Sequence, residues 1–467
     1  MSAADHGDVA DPWLGTGSTA APSDLQLVDG SRVGVIGGGP AGSLFTVFLL
    51  EMAERVGLSL DVTIHEARDF TRPGPAGCNH CGGIISETLV QSLAAEGILL
   101  PPTVVQRGID SYTLHTDRDR VRIETPLQEK RIAAVFRGSG PRGLSEPKWE
   151  SFDNHLLGLA TERGAHLVRK RVEGLDWADD GRTRFRFGKE ESEPFDLTVL
   201  AVGVNGTALK LLGDLGIEYR LPGTTKTHIC EIPMEQESVD EHLGTSMHVF
   251  LLNIPRLEFA ALIPKGEHVT LCLLGDDIDD ALVQRFLACP EVQRCLPDGT
   301  GDFKRLCHCS PRLNIRAGLM PFADRVVMIG DCGVTRLYKD GIGAAQRTAK
   351  AAAATAVLHG ISAEDFRRHM WPVCRAINGD NRLGRMVFRL TGLLQRFGFT
   401  RRAIVRMAAS EQRRAGSRRR MSLALWDMFT GSAPYREVLL RTLHPLFGLR
   451  LMWDMAVCAV PRRRARS

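Results

Sequence analysis

The chain has 467 residues, enough for two or three domains built on sizeable cores. Its hydrophobic fraction of 43% and charged fraction of 24% argue against a disordered polyelectrolyte, and no stretch approaches the ~18 uncharged apolar residues of a membrane span. The net charge of +4 hides an asymmetry: residues 380–467 hold 19 Arg, no Lys and five acids, which makes them +14 and the remainder of the chain −10.

Residues 1–30 are rich in Ala, Gly, Ser and Asp and lack both a basic start and an apolar run, so they read as a disordered leader rather than a signal peptide. Eleven cysteines without an export signal point to a reducing, cytoplasmic setting, with free thiols or metal ligands in place of disulfides. Val33 to Ile36 then reads as a buried strand that runs into a glycine turn. Gly37, Gly39 and Gly42 hold the G-x-G-x-x-G positions: a tight turn, close approach to a pyrophosphate, and close helix–strand packing. The helix expected from Pro40 to Arg55 aims its N-terminal N–H groups, including that of Ala41, at the same phosphate. The next strand, Leu60 to Glu66, ends in an acid suited to ribose hydroxyls, with Arg68 just beyond it.

A breaker-rich loop, Thr71 to Gly77, leads to Cys78, His80, Cys81, Gly82 and Gly83, after which Ser86 reads as the cap of a helix over 87–96. Alternation predicts strands within 111–136, and a helix is expected over Glu146–Arg163, with Lys148 as a cofactor candidate at its start. Phe195 to Gly203 is a nearly continuous apolar strand of the kind buried in a parallel sheet. Residues 206–311 carry short strands and read as a mostly antiparallel substrate domain, to which strands of 111–136 contribute. Arg325 to Asp331 is a further buried strand, followed by Asp340 to Ala345 and an Ala-rich helix to about Leu358. The predicted fold is therefore α/β: a Rossmann-like domain over 31–205 and 312–360, an inserted β domain over 206–311, and a basic helical region over 361–467.

Three strands end in marked loops, at Gly37–Gly42, Ala201–Gly203 and Gly330–Asp331, and one ligand reaches all three only if it is long, as FAD is. At this point the sequence resembles the geranylgeranyl reductase family, flavoproteins of the p-hydroxybenzoate hydroxylase type of FAD fold, over about residues 32–359. Three blocks carry the resemblance: Val33–Gly42 with Glu66; Cys81-Gly82-Gly83-Ile84-Ile85-Ser86; and Gly330-Asp331 with Asp340-Gly341-Ile342-Gly343-Ala344. It implies FAD, with Cys81, Gly82 and Gly83 beside the isoalloxazine, Asp331 on the ribityl hydroxyls, and the N–H groups of Gly341 to Ala344 facing the flavin pyrimidine edge. It also implies an isoprenoid substrate pocket, with Phe259 and Pro264 matching two positions of an aromatic motif in which Ala261 replaces a Trp and Ile263 a Phe. Val202 precedes Gly203 where that family has Asp, which argues against a resident nicotinamide site and leaves NAD(P)H as a transient reductant.

Three functional readings follow. The first is reduction of a double bond in an isoprenoid or other bulky apolar substrate by hydride from flavin N5, with Cys81 and His80 as candidate proton donors. The second is a class A flavin monooxygenase or halogenase. The third is an electron carrier in which Cys78, Cys81, Cys307 and Cys309 hold zinc or an iron–sulfur cluster. Arg336, Tyr338 and Lys339, in the loop before the flavin turn, are candidates to protonate substrate or hold an anionic group. The Arg-rich C-terminal region, with its stripe of Leu383, Met386, Val387, Leu390, Leu394 and Phe397, suits peripheral contact with the inner face of a membrane. It lacks the interleaved aromatics that nucleic-acid binding needs.

Overall fold

In a computed structural model that describes residues 24–78, 81–124, 132–142, 149–205, 211–213, 215–297, 307–414 and 419–460, the two kinds of strand in the sequence go to two separate sheets. The continuous apolar strands form a six-stranded sheet in the order Phe322–Ala323, Val326–Met328, Leu197–Leu200, Ser31–Ile36, Leu60–His65, His166–Val168. All neighbours are parallel except the first pair, and the register sets Val35 beside both Ile64 and Val199, and Val199 beside Val327. The helices Pro40–Arg55 and Gly341–Leu358 cover one face, where Leu44 and Phe48 share a core with Ala349, Ala352 and Ala353. The small alanines let the second helix lie close against the first. A three-stranded antiparallel sheet, Gly174–Trp177, Thr183–Phe187 and Glu190–Glu191, belongs to the opposite side, with Leu175 and Phe185 packed among Ile36, Leu200 and Met328.

The alternating strands form a seven-stranded sheet in the order Cys307–Cys309, His228–Pro233, His268–Gly275, Leu257–Lys265, Ser246–Phe250, Ser111–His115, Arg120–Glu124. Period-two alternation splits its side chains: Phe259, Ala261 and Ile263 join one core, and Ala260 and Leu262 join another beneath the Asp280–Leu287 helix. The strands expected within 111–136 divide between sheets, since Ile132–Val135 pairs with Ile84–Ile85 and Val105–Ile109 instead. The boundary drawn at 311 also falls inside a strand pair, because Arg312–Asn314 binds back to Thr224–Lys226.

The helix expected from Glu146 starts at Phe152, where the Ser151 hydroxyl accepts the Asn154 N–H at 3.2 Å. Lys148 lies outside the described residues. Beyond residue 360 the chain forms helices Trp371–Arg396, Gly398–Gln412, Arg420–Thr430, Tyr435–Thr442 and Pro445–Ala459. They pack largely on the seven-stranded sheet: Met407, Trp426 and Phe429 share a core with Tyr112 and Phe259. Among the described residues no helix is long and apolar enough to cross a membrane.

Candidate functional site

The carboxyl ends of the parallel strands open into a cavity of about 380 Å³ between the two sheets. At one end stands the glycine turn. Gly37 has φ +104°, and a Cβ there would lie 2.6 Å from the Ala201 carbonyl oxygen. A Cβ on Gly42 would lie 1.9 Å from the Gly37 carbonyl oxygen, so only glycine lets the helix start this close to the strand. The Pro40–Arg55 helix has no side-chain cap, and its first turn, at Gly39, Pro40 and Ala41, lines the cavity with its N-terminal backbone unclaimed by any side chain. Glu66 closes this end. Its Oε2 accepts the Gly38 N–H at 2.9 Å and its Oε1 the Arg68 N–H at 2.8 Å, which fixes the carboxylate toward the cavity and leaves each oxygen a further lone pair.

At mid-length the cavity meets Gly203 and Asp331. Burial raises the pKa of the Asp331 carboxyl, while Arg137 pulls it down. The Asp331 carbonyl accepts the Asn314 side-chain N–H at 2.7 Å, which ties it to the substrate side. The Gly341–Leu358 helix begins here, capped by no side chain and preceded by Asp340 in the left-handed region at φ 56°. Two uncapped helix N-termini therefore serve one cavity, a donor arrangement that suits a ligand with a pyrophosphate at one end and an anionic heterocycle at the other. Cys81, Gly82 and Gly83 form the adjoining wall, with the Cys81 sulfur accepting the Gly83 N–H at 3.4 Å.

The far end is apolar. Met247, Phe259, Ala261, Ile263 and Cys272 come from the seven-stranded sheet, and Phe429 comes from the C-terminal helices. Lys339 enters this apolar end, its Nζ 3.5 Å from the Phe259 ring centroid. Among the described residues the ammonium has no carboxylate and no hydrogen-bond acceptor. Burial lowers its pKa to about 8, with the neighbouring Cys272 thiol working in the opposite sense.

Of the residues singled out in the sequence, the structure brings Gly37, Gly39, Pro40, Ala41, Glu66, Arg68, Cys81, Gly82, Gly83, Gly203, Asp331, Gly341, Ile342 and Phe259 to the cavity wall. Gly42, Gly330, Gly343 and Ala344 shape the turns behind that wall without lining it. Pro264 is a correction: alternation sends it away from the face of Phe259 and Ile263, and it pairs with Val269. Arg336, Tyr338 and Lys339 also line the cavity. Arg336 is buried, donates to the carbonyls of Gly431 and Ala433, and pairs with Asp340 and Asp380, so it ties the flavin-turn loop to the C-terminal helices. His80 lies outside the described residues. Sequence reasoning missed Arg137, Asn314 and Phe429, which reach the site from distant parts of the chain.

The four-cysteine metal site is also corrected. Pairing of Cys307–Cys309 with His228–Pro233 puts Cys307 and Cys309 on one strand face, and both line a small side cavity with Cys78 and Cys81. Their sulfurs are not gathered there within 4.8 Å of one another, and Glu231 and Lys265 share the space. Burial pushes the Cys309 thiol well above its ordinary pKa, with the neighbouring cysteines adding to it. Among the described residues the group that does converge is His115, His248 and Cys295, all buried on the opposite face of the sheet. Nε2 of His115 lies 3.0 Å from Nδ1 of His248, which lies 3.3 Å from the Cys295 sulfur. Burial lowers the pKa of both imidazoles, to about 4 and about 3, and Arg120 adds to each shift. The three side chains form a buried hydrogen-bonded triad, away from the cavity.

No protein-family model and no curated protein matches this sequence. Solved structures do. Halogenase PltM in complex with phloroglucinol and FAD is similar over 94% of this chain and 93% of its own, with TM-score 0.55 and 12% identity. The tetrameric 2-methyl-3-hydroxypyridine-5-carboxylic acid oxygenase is similar over 83% and 98%, with TM-score 0.54 and 16% identity. A mutant of P. aeruginosa PqsL is similar over 79% and 98%, with TM-score 0.54 and 15% identity. These likenesses show the fold: a Rossmann-type α/β domain joined to an antiparallel sheet, as in the FAD complex of PltM.

Proposed function

We propose that this chain is an FAD-dependent oxidoreductase that works by flavin monooxygenase or halogenase chemistry on an anionic aromatic substrate. The observation that carries the reading is the continuity of one cavity, from Glu66 and the glycine turn, past Asp331 and Gly341–Ile342, to Lys339 beside Phe259. Glu66 would hold the adenosine ribose, the Gly39–Ala41 turn the pyrophosphate, Asp331 the ribityl hydroxyls, and the start of the Gly341–Leu358 helix the flavin edge. When bound and reduced, FAD supplies an electrophilic oxygen equivalent from O2, or an electrophilic halogen where halide is present.

The chain's own residues do the rest. Phe259, Ile263 and Met247 exclude water and stack an aromatic ring. Lys339 pairs with the substrate anion, which gives its desolvated ammonium the partner it lacks and fixes which ring carbon faces the flavin. The likeness to PltM takes in the C-terminal helices, which supply Phe429 to the cavity, and this supports the halogenase form. Reduction of an isoprenoid double bond is the second reading, and Cys81–Gly83 on an apolar wall favours it.

The two differ in stoichiometry. Hydroxylation takes two electrons and one O2 per product and releases water, halogenation adds a halide and a second water, and alkene reduction takes two electrons and two protons without O2. The protein, flavin-loaded and reduced anaerobically, is given an aromatic carboxylate and then oxygenated buffer with and without bromide. Product formed only with O2 is expected. Saturation of a prenyl substrate under anaerobic conditions, with no turnover of any aromatic acid in air, would establish the second reading instead.

A further inference from the structure

The Pro445–Ala459 helix packs one apolar face on the protein and leaves a second one bare. Leu446, Leu449, Met452 and Trp453 are 58–63% exposed and recur at helical spacing along one face, which bears no charge. The face turned to the protein joins Phe447 and Leu451, packed on the sheet core, to a polar anchor. Asp454 is fully buried there, its Oδ1 accepting from Arg406 Nε at 2.9 Å and its Oδ2 from Arg450 Nε at 2.8 Å. Arg402 donates to the Cys458 carbonyl at 2.7 Å. Leu440 and Leu443, in the preceding helix and turn, are exposed as well. A bare apolar stripe of this kind marks a docking face.

Its surroundings say what docks. A cleft lined by Arg414, Arg420 and Arg450 adjoins Leu446 at the start of the stripe, and the same cleft holds Glu411. Glu411 is occupied at the next helix start, where Oε1 accepts the Met421 N–H and Oε2 the Ser422 N–H and hydroxyl. In the sequence, Arg462, Arg463, Arg464 and Arg466 follow the helix directly. An apolar stripe with a tryptophan, flanked at both ends by arginines in a region of charge +14, is complementary to acyl chains beneath anionic phosphates.

We propose that the Pro445–Ala459 helix docks on an anionic lipid bilayer, with Leu446, Leu449, Met452 and Trp453 at the acyl boundary and Arg414 and Arg420 on lipid phosphates. This surface is separate from the cavity residues named above, so the proposal stands or falls apart from the reaction.

The test is flotation of the full-length protein with vesicles of phosphatidylcholine, alone or mixed with phosphatidylglycerol. Wild type is expected to float with the mixed vesicles at least about tenfold more tightly than with the neutral ones, and less so as salt rises. Leu449→Glu and Trp453→Glu each weaken that binding by about tenfold or more. Arg414→Gln with Arg420→Gln weakens it by roughly tenfold and removes most of the preference for phosphatidylglycerol. Both apolar-face residues are exposed, so the variants keep the wild-type thermal melt, which separates lost docking from lost folding. Failure of wild type to float with either vesicle, or equal flotation with both, overturns the proposal. So does a lipid-free dimer that Trp453→Glu converts to monomer, because the face then belongs to a second copy of the chain.

Discussion

Lys339→Met should make the protein more stable and a worse binder of anions, and the magnitude of both effects follows from one number. Burial against Phe259 lowers the Lys339 pKa from 10.5 to about 8, which corresponds to about 3 kcal/mol against the charged form. Because the folded value is the lower one, the unfolded chain binds more protons between about pH 8 and pH 10.5. The ammonium therefore destabilises the fold fully below pH 8, and the penalty fades as pH rises toward 10.5. Replacing it with isosteric, neutral methionine removes the penalty, so at pH 7 the ligand-free variant should melt a few degrees higher, and the difference should shrink by pH 10. An aromatic carboxylate that pairs with the ammonium recovers up to the same ~3 kcal/mol, so wild type should prefer it over its neutral amide by up to ~100-fold. Lys339→Met should bring that ratio near one, and Lys339→Arg should restore part of it and hold it to higher pH. In wild type the preference should fall as pH rises through about 8. Titration of acid and amide from pH 6 to 10, read by flavin absorbance, together with thermal melts of the ligand-free forms, measures each term. An unchanged melt and a carboxylate preference that survives Lys339→Met would refute the reasoning.

Gly42→Ala puts a Cβ 1.9 Å from a backbone carbonyl, so it should lower the melting temperature and strip flavin from the purified protein, seen as loss of the flavin absorbance band. Glu66→Ala leaves the Gly38 and Arg68 N–H groups without their carboxylate and should weaken FAD binding by about tenfold or more, measured by flavin release on dilution. Asp454→Ala leaves the half-exposed Arg406 and Arg450 without their shared partner and should cost about 1–3 kcal/mol in denaturant melts, with the Pro445–Ala459 helix exchanging its amides first. Gly384→Ala drives a Cβ to 2.6 Å from the Tyr435 ring, which also donates to the Leu337 carbonyl, and should cost about 1–3 kcal/mol in the same melts.

What was legible in the sequence was local. The span from Val33 to Glu66 carries its strand, turn, helix and terminal acid in one run, and each residue's role depends on neighbours within that run. Gly330–Asp331 and Gly341–Ile342 were legible for the same reason. Phe259 and Pro264 belong to one motif in the sequence, yet period-two alternation along Leu257–Lys265 is enough to send Pro264 to the other face. The cysteines were harder. C-x-x-C and C-x-C spacings state which sulfurs can share a side, and only the strand pairing of Cys307–Cys309 with His228–Pro233 sets where that side lies. Arg137, Asn314 and Phe429 had no signal at all, because each reaches the cavity from a distant segment of the chain.

Charge shows the same limit most sharply. The sum of +14 over residues 380–467 says only that an anionic partner is favoured, whereas the structure divides the arginines by use. Arg401 pairs with Asp117, Arg406 and Arg450 with Asp454, and Arg441 with Asp427, so these hold the helices to the body and to one another. Arg382, Arg385, Arg389 and Arg396 lie instead along the Trp371–Arg396 helix with no acid beside them among the described residues, next to exposed Met386, Leu390, Leu393 and Phe397. Burial and the like charges of Arg382 and Arg389 lower the pKa of Arg385, so this row is held together against its own repulsion. An anionic surface would relieve that repulsion and cover the apolar residues beside it in one contact, which water cannot do. Arg382→Gln with Arg389→Gln should therefore raise the melting temperature of the protein in lipid-free buffer while weakening its flotation with phosphatidylglycerol vesicles. A loss of thermal stability would show that the row is already neutralised within the protein.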